Sequence, residues 1–294
     1  MAEPVIIRSR NSVLSFYGED CVEGMKRRLE PGSVDVVVTS PPYNLGTAYG
    51  KYRDDLPRQE YLEWTRRWSR VVRNLISDEG SFFLNVGGKP TDPWIPFDVA
   101  RAVAESFVLQ NTVHWIKSIA IDRESMGKTS DRGSDVVVGH YKPINSRRFL
   151  NDCHEYVFHF TPSGSTSLDR LAVGVPYQDK SNVSRWKTAS GGLRCRGNTW
   201  YLPYDTIQHR SNDRPHPASF PVGLPERCLR LHGLERCRLA LDPFSGIGST
   251  AVACLRLQVD FAGFEIDEEY NRVALTRLEK ARHPHDVWEL PFPT

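Results

Sequence analysis

The sequence predicts an α/β fold, a mainly parallel sheet covered by helices on both faces. Three observations carry this prediction. Short aliphatic and β-branched runs alternate along the chain with stretches of helical periodicity. Runs such as Val34 to Thr39 are almost continuously apolar, as strands buried on both faces are. Two of them break off into unusual motifs, Thr39-Ser40-Pro41-Pro42-Tyr43-Asn44 and Asp242-Pro243-Phe244-Ser245-Gly246-Ile247-Gly248-Ser249-Thr250. These motifs fall at the C-terminal edge of a sheet, where open α/β sheets bind ligands.

Taken in order, Leu14 to Tyr17 reads as a strand stopped by Gly18-Glu19-Asp20, with a helix through Met25 and Leu29 after it. Val34 to Thr39 is the next strand. Tyr61, Leu62, Trp64, Trp68, Val71, Val72 and Leu75 recur at helical spacing, so that helix packs on the sheet. Gly80 to Val86 is a strand, Phe97 to Phe107 a helix and Asn111 to Ile116 a strand. Residues 118–150 are polar, basic and without clear period. His154 to Thr161 alternates as a strand does, closed by Pro162-Ser163-Gly164. From Ser163 to about Arg214 the periodicity collapses while Gly, Ser, Arg, Tyr and Trp accumulate, which predicts an insertion. Regular pattern returns with a helix from Phe220 to Leu231, stopped at Gly233. A strand at Leu239 to Leu241, a helix at Ser249 to Leu257 and a strand at Phe261 to Phe264 follow. The last helix opens at Asp267, a suitable N-cap, and puts Tyr270, Ala274 and Leu278 on one face.

With 39% hydrophobic and 25% charged residues, 294 residues suffice for an ordinary soluble core. No apolar run approaches the roughly 20 residues that span a bilayer, and Met1-Ala2-Glu3-Pro4 lacks the parts of a secretory signal. A cytoplasmic location without membrane contact is expected. Six cysteines without a C-x-x-C pair argue against a zinc site and a disulfide framework, so no metal is expected. A net charge of +2 does not announce a nucleic-acid partner, but its distribution is uneven. Arg185, Lys187, Arg194 and Arg196 cluster with Trp186 and no acid, which is either a basic contact surface or a solvated loop.

Gly246-x-Gly248-x-x-Ala251, after a strand and opening a helix, lets backbone approach a bound nucleotide closely. Glu265 ends the next strand, where a carboxylate can accept from both ribose hydroxyls. The pattern points to an adenosine-containing cofactor, against the bland reading of a tight strand-to-helix turn. A nicotinamide cofactor competes, yet Asp242 directly before the loop would repel a pyrophosphate and suits an amino group and a sulfonium. S-adenosyl-L-methionine fits better. No Lys follows Gly248 at the Walker position, which excludes a P-loop.

In Ser40-Pro41-Pro42-Tyr43 the prolines fix the backbone and remove two N–H donors, leaving carbonyls that only accept. Ser40 adds a hydroxyl and Tyr43 a flat face for stacking. The corner suits a planar ligand presenting an NH2 group, such as cytosine or adenine. That amine is a poor nucleophile because its lone pair is delocalised into the ring. Holding its hydrogens on Ser40 Oγ and the Pro41 carbonyl would draw the nitrogen towards a tetrahedral shape and aim the lone pair at a methyl group.

These residues closely resemble the amino-methyltransferases of DNA, in particular the permuted beta group, in which the Pro-Pro-Tyr motif precedes the cofactor glycines. The resemblance spans almost the whole chain and is weakest from Ser163 to Arg214. It implies a Rossmann-like, S-adenosylmethionine-dependent methyltransferase fold with a circularly permuted seven-stranded sheet. Residues 1–162 would form the catalytic half, 163–214 an inserted target recognition region and 215–294 the cofactor-binding half. It implies catalytic roles for Ser40, Pro41, Pro42 and Tyr43. It implies cofactor contacts from Asp20, Ser219, Phe220, Asp242, Phe244, Gly246, Gly248, Thr250 and Glu265. A Ser before Pro-Pro-Tyr goes with N4-cytosine methylation in that family and an Asp with N6-adenine, so Ser40 favours cytosine. The N6-adenine or RNA enzyme, and an idle nucleic-acid-binding module, are the alternatives. No Cys follows a proline, so the cytosine-C5 chemistry is not expected.

Double-stranded DNA is the expected partner, with the target base flipped out to reach Ser40. Lys51 and Arg53 could close over it, and Arg185, Lys187, Arg194 and Arg196 are candidates for phosphate or guanine contacts. His154-Glu155 reads as a packing and hydrogen-bonding pair, and His216 as shaping the entry to the cofactor helix. A cognate restriction endonuclease follows from the resemblance alone, and monomer and homodimer both stay open.

Overall fold

A computed structural model describes residues 3–47, 49–122, 124, 135–139, 146–177, 192–203 and 219–282. In chain order the elements are β1 (Val5–Arg8), β2 (Val13–Tyr17), α1 (Cys21–Arg28), β3 (Val34–Thr39), α2 (Arg58–Leu75), β4 (Ile76–Val86) and α3 (Ile95–Ala104). Then come β5 (Val108–Ile116), β6 (Ile119–Ile121), β7 (Val136–Val138), β8 (His154–Thr161), β9 (Val175–Pro176), β10 (Leu193–Arg194) and β11 (Thr199–Tyr201). The last group is α4 (Gly223–His232), a short 3-10 turn, β12 (Leu239–Asp242), α5 (Ser249–Leu257), β13 (Asp260–Phe264) and α6 (Glu268–Ala281).

Nine strands form the main sheet in the order β1-β2-β13-β12-β3-β4-β8-β5-β11. From β2 to β4 all neighbours are parallel, while β8 runs antiparallel to both β4 and β5. The seven strands from β2 to β5 match the expected core. Two short strands extend it. β1 pairs antiparallel with β2, and β11 pairs parallel with β5, covering what would otherwise be open edges. β11 comes from the stretch read as an insertion, so part of 163–214 is built into the core sheet. Its Trp200 is fully buried and donates its indole N–H to the Gly197 carbonyl. Three residues are too few to show a period, which is why the pattern is silent there.

Strands from the two ends of the chain interleave at the centre. Phe264 of β13 faces Tyr17 of β2, and Leu241 of β12 faces Val37 of β3. The segments leaving β2, β13, β12 and β3 therefore emerge side by side along one edge. All six residues of β3 are buried, as a central parallel strand requires. Val36 and Val38 face the cluster under α4, α5 and α6, and Val37 faces the cluster under α1, α2 and α3. α2 follows the expected period, burying Tyr61, Thr65, Trp68, Val72 and Leu75.

Small differences from the sequence reading have local causes. α4 starts at Gly223, not Phe220, because Phe220 and Pro221 form the preceding turn, with the Leu224 N–H on the Pro221 carbonyl. β4 begins at Ile76, ahead of Gly80, through an irregularity in its pairing with β3. The unassigned stretch 118–150 contains the β6–β7 hairpin. All six cysteines are free, and no helix among the described residues is long and apolar enough to cross a membrane.

α5 starts at a left-handed backbone turn that favours glycine. Gly248 has φ +75° and caps the helix, and a Cβ there would lie 2.8 Å from the Ala274 Cβ on α6. Gly248→Ala therefore combines left-handed strain with a clash between packed helices. We expect a loss of about 2 to 4 kcal/mol, read as a lower urea midpoint at unchanged slope. An unchanged midpoint would contradict the packing described here.

Candidate active site

The two motifs are joined by a buried clasp. Asp242, at the end of β12, accepts from Thr39 Oγ1 of β3 at 2.6 Å and from Thr250 Oγ1 of α5 at 2.7 Å. The Phe244 N–H donates to the same carboxylate at 3.1 Å. Thr39, Asp242 and Thr250 are all buried. Burial raises the Asp242 pKa to about 6, against the opposing pull of the three hydrogen bonds. The clasp fixes the residue before the proline corner against the glycine bend.

Asp242 accepts from Thr39, Thr250 and the Phe244 amide inside the protein and also lines the adjacent cavity. Thr250 holds Asp242 and does not line the adjacent cavity, and Gly248 is likewise absent from its wall, its glycine requirement coming from Ala274. Asp20, Ser219, Phe220, Asp242, Phe244, Gly246 and Glu265 do line it, together with Ser40 and Pro42. The cavity is an open cleft of about 960 Å³, solvent at its mouth included.

Glu265 follows β13 into this cleft. Its Oε2 accepts the Gly246 N–H at 3.0 Å and its Oε1 the Asp267 N–H at 2.8 Å. Burial pushes its pKa up to about 7, more than these two bonds lower it. Asp20 sits at the far end of the same edge, its Oδ1 capping α1 on the Val22 and Glu23 amides. The glycine bend is braced from outside. Arg277 of α6 donates to the Ile247 carbonyl at 2.6 Å, and Ser249 Oγ donates to the Phe220 carbonyl at 2.8 Å. Ser245 Oγ is buried in the wall without a hydrogen-bond partner. A buried orphan hydroxyl, a carboxylate and several acids beside aromatic rings fit a polar, cation-bearing nucleoside.

Ser40 opens the other wall. Tyr61 of α2 donates its hydroxyl to the Pro42 carbonyl at 2.7 Å, so that acceptor is already used. Asn44 takes φ +59°, a conformation Asn tolerates, and reverses the chain. Buried Asp54 holds the reversal by accepting the Asn44, Leu45 and Thr47 amides at 2.7, 3.1 and 2.9 Å. Pro41 and Tyr43 are not among the residues that line the cleft. Ser40 Oγ and Tyr43 Oη are 2.6 Å apart, and Tyr43 donates to Glu155 Oε2 at 3.0 Å. Asn85 Nδ2 adds bonds to Tyr43 Oη at 2.7 Å and Glu155 Oε2 at 2.8 Å. Lys117 Nζ closes the group on Glu155 Oε1 at 3.0 Å.

Lys51 lines the cleft and pairs with Glu268 at 3.4 Å, while exposed Arg53 pairs with its neighbour Asp55. Arg194 is exposed on β10, and Arg196 donates to the Val173 carbonyl at 2.9 Å. Arg185, Lys187 and His216 lie outside the described residues. His154 packs edge-on against Tyr156 and tilted beside His114, with its pKa lowered first by burial and then by His114. Asn85, Asp54, Tyr49, Tyr52 and Trp64 carry no site signal in the sequence reading. Trp64 shows there only as part of a helical stripe, yet it packs on Phe244 and lines the cleft.

A parallel sheet with a glycine bend and an acid on adjacent strands, beside a proline corner, defines a Rossmann-like enzyme of the methyltransferase type. Residues 34–276 match the DNA methylase family N6_N4_Mtase, and the chain belongs to that family. It is 27% identical over 254 residues to the Type II methyltransferase M.HpaI of Haemophilus parainfluenzae, covering 86% of this chain and 70% of that protein. It is 28% identical to M.BglII of Bacillus subtilis, spanning 82% of this chain and 62% of that longer relative. M.Cfr9I of Citrobacter freundii, also a Type II methyltransferase, is 28% identical with 92% and 91% covered. Among solved structures, the PvuII DNA methyltransferase (cytosine-N4-specific) superposes with TM-score 0.62 at 20% identity over 91% of this chain and 89% of that one. The Thermus thermophilus protein TTHA0409, complexed with S-adenosyl-L-methionine, gives 0.58 at 20% identity over 92% and 97%. These likenesses bear out the fold.

Proposed function

We propose that this chain is a beta-group, restriction-modification-type DNA methyltransferase acting on the exocyclic N4 of a cytosine extruded from duplex DNA. The Thr39–Asp242–Thr250 clasp carries the reading, because it ties the proline corner to the glycine bend across one cleft. Bound S-adenosyl-L-methionine supplies an electrophilic methyl group on a sulfonium. Glu265 would accept from its ribose hydroxyls, Asp20 would face the adenine side, and Ser219, Phe220, Phe244 and Gly246 would enclose the remainder. Gly248 and Thr250 would contribute indirectly by shaping the bend. Ser40 Oγ and the Pro41 carbonyl would accept from the target amine, with Pro42 and Tyr43 fixing the corner. Ser40 supports cytosine over adenine.

In the same reading, residues 163–214 contain the target recognition region between a catalytic half, 1–162, and a cofactor half, 215–294. Lys51, Arg53, Arg185, Lys187, Arg194 and Arg196 would contact DNA, in a cytoplasmic setting with a cognate endonuclease as functional companion. Incubation with labelled S-adenosylmethionine and duplex DNA, followed by nucleoside analysis, tests the reading. N4-methyldeoxycytidine is the expected product. N6-methyldeoxyadenosine would overturn the base assignment, and label in neither nucleoside would overturn the transferase reading.

A pH dependence follows from Glu265. Its ordinary carboxyl value is raised to about 7, so it loses its proton near neutrality, and the ionised form is the better acceptor for ribose hydroxyls. Cofactor affinity therefore rises with pH through about 7. If only the ionised form binds, the Kd at pH 6 exceeds that at pH 8 by about tenfold. Titration calorimetry of the protein and of Glu265→Gln checks this, since cofactor titration is common to both. Equal pH dependence in the two proteins would contradict it.

A further inference from the structure

We infer that Glu155 sets the direction of a hydrogen-bonded chain, Glu155–Tyr43–Ser40, that makes Ser40 Oγ an acceptor for the target amine and carries away its surplus proton. The inference rests on the proposed amino-group methylation and deepens it. In the sequence, Glu155 reads as a packing and hydrogen-bonding residue. In the fold it is buried on β8 and bonds Tyr43, 112 positions away in the chain.

The polarity follows from counting protons. An ionised carboxylate only accepts, so the single Tyr43 hydroxyl proton points to Glu155 Oε2 at 3.0 Å. The Tyr43 oxygen is then an acceptor, and the Ser40 hydroxyl 2.6 Å away donates to it. With its proton engaged there and one lone pair facing Asn85 Nδ2 at 3.3 Å, Ser40 Oγ offers its remaining lone pair to the cleft. Asn85 enforces the same sense. Its Nδ2 donates to Tyr43 Oη and Glu155 Oε2, which leaves its buried Oδ1 without a partner. That orientation is tolerated because the opposite one would set Oδ1 against the carboxylate. Lys117 balances the charge of Glu155 from the other side at 3.0 Å.

An NH2 group is therefore received and a carbonyl refused, which is the distinction between cytosine and a pyrimidine with a 4-keto group. Once the amine nitrogen has gained a methyl group it carries one proton too many. That proton passes to Ser40 Oγ, the Ser40 proton to Tyr43 Oη and the Tyr43 proton to Glu155, leaving the base neutral and Glu155 protonated. Glu155 is thus a positioning residue and proton acceptor acting through the other two.

The test compares Glu155→Gln, Glu155→Asp, Tyr43→Phe and the double variant Glu155→Gln/Tyr43→Phe in steady-state methylation of duplex DNA. Glu155→Gln keeps the side-chain shape but can donate, and is expected to lower kcat on the order of 10²-fold at unchanged cofactor Kd. Tyr43→Phe breaks the middle link and should do the same, the double variant falling no further than the worse single. Glu155→Asp, smaller but still acceptor-only, should recover part of the loss. A role in filling space would reverse that order, with Gln more active than Asp, and would overturn the proposal. Full kcat in both Glu155→Gln and Tyr43→Phe would overturn it too. Wild-type protein that forms no methylamino base would instead remove the reading beneath it.

Discussion

Ser40→Ala is expected to reduce kcat on the order of 10² to 10³-fold while the Kd for S-adenosylmethionine stays within about twofold. The hydroxyl lies at the cleft wall beside the end of β3, within a bonded group that includes Tyr43 and Asn85. Removing one oxygen takes away an acceptor needed only as the amine changes shape, so the loss falls on turnover. Pro42 and the Asp54-braced reversal stay in place, because their bonds do not pass through Ser40. Rapid-quench measurement of methyl transfer, with calorimetry for the cofactor, separates the two quantities. Equal loss in both would make Ser40 a structural residue.

Glu265→Ala should act on the opposite substrate. Two hydrogen bonds from ribose hydroxyls to a carboxylate, at about 1.5 kcal/mol each, amount to on the order of 10²-fold in cofactor Kd. Stability moves little, for two opposed reasons. The substitution leaves the Gly246 and Asp267 amides without their acceptor, which destabilises. It also removes a buried carboxyl whose folded value is raised to about 7, so that ionising it at pH 8 costs stability that is present below its ordinary value. Calorimetry and urea unfolding at pH 8 read the two effects separately. A cofactor Kd unchanged by the substitution would contradict the assignment of Glu265.

Much of this is legible in the chain because central parallel strands write themselves plainly. β3 is an unbroken apolar run with its proline corner attached, and α5 is bounded to the residue by the glycines before it and Gln258 after it. The order along the sheet edge can be read from which strands end in Asp20, Ser40, Asp242 and Glu265. Three-residue β11 cannot, having no room for a period, although its Trp200 is as buried as any core residue. Side-chain partnerships are also hidden. That Asp242 is occupied by Thr39, some two hundred positions away, leaves no trace in spacing. Glu155 and Asn85 look like ordinary strand residues, because the link between them and Tyr43 exists only where β4 and β8 pair beside the proline corner.

A structure of the protein with a methyl-transfer-inert S-adenosylmethionine analogue and a DNA duplex tests the central claim most directly. The analogue is expected in the cleft, against Gly246 and Glu265, with an extruded cytosine whose amine lies within about 3 Å of Ser40 Oγ. A duplex bound with all bases stacked, or an analogue seated away from the clasp, would contradict it.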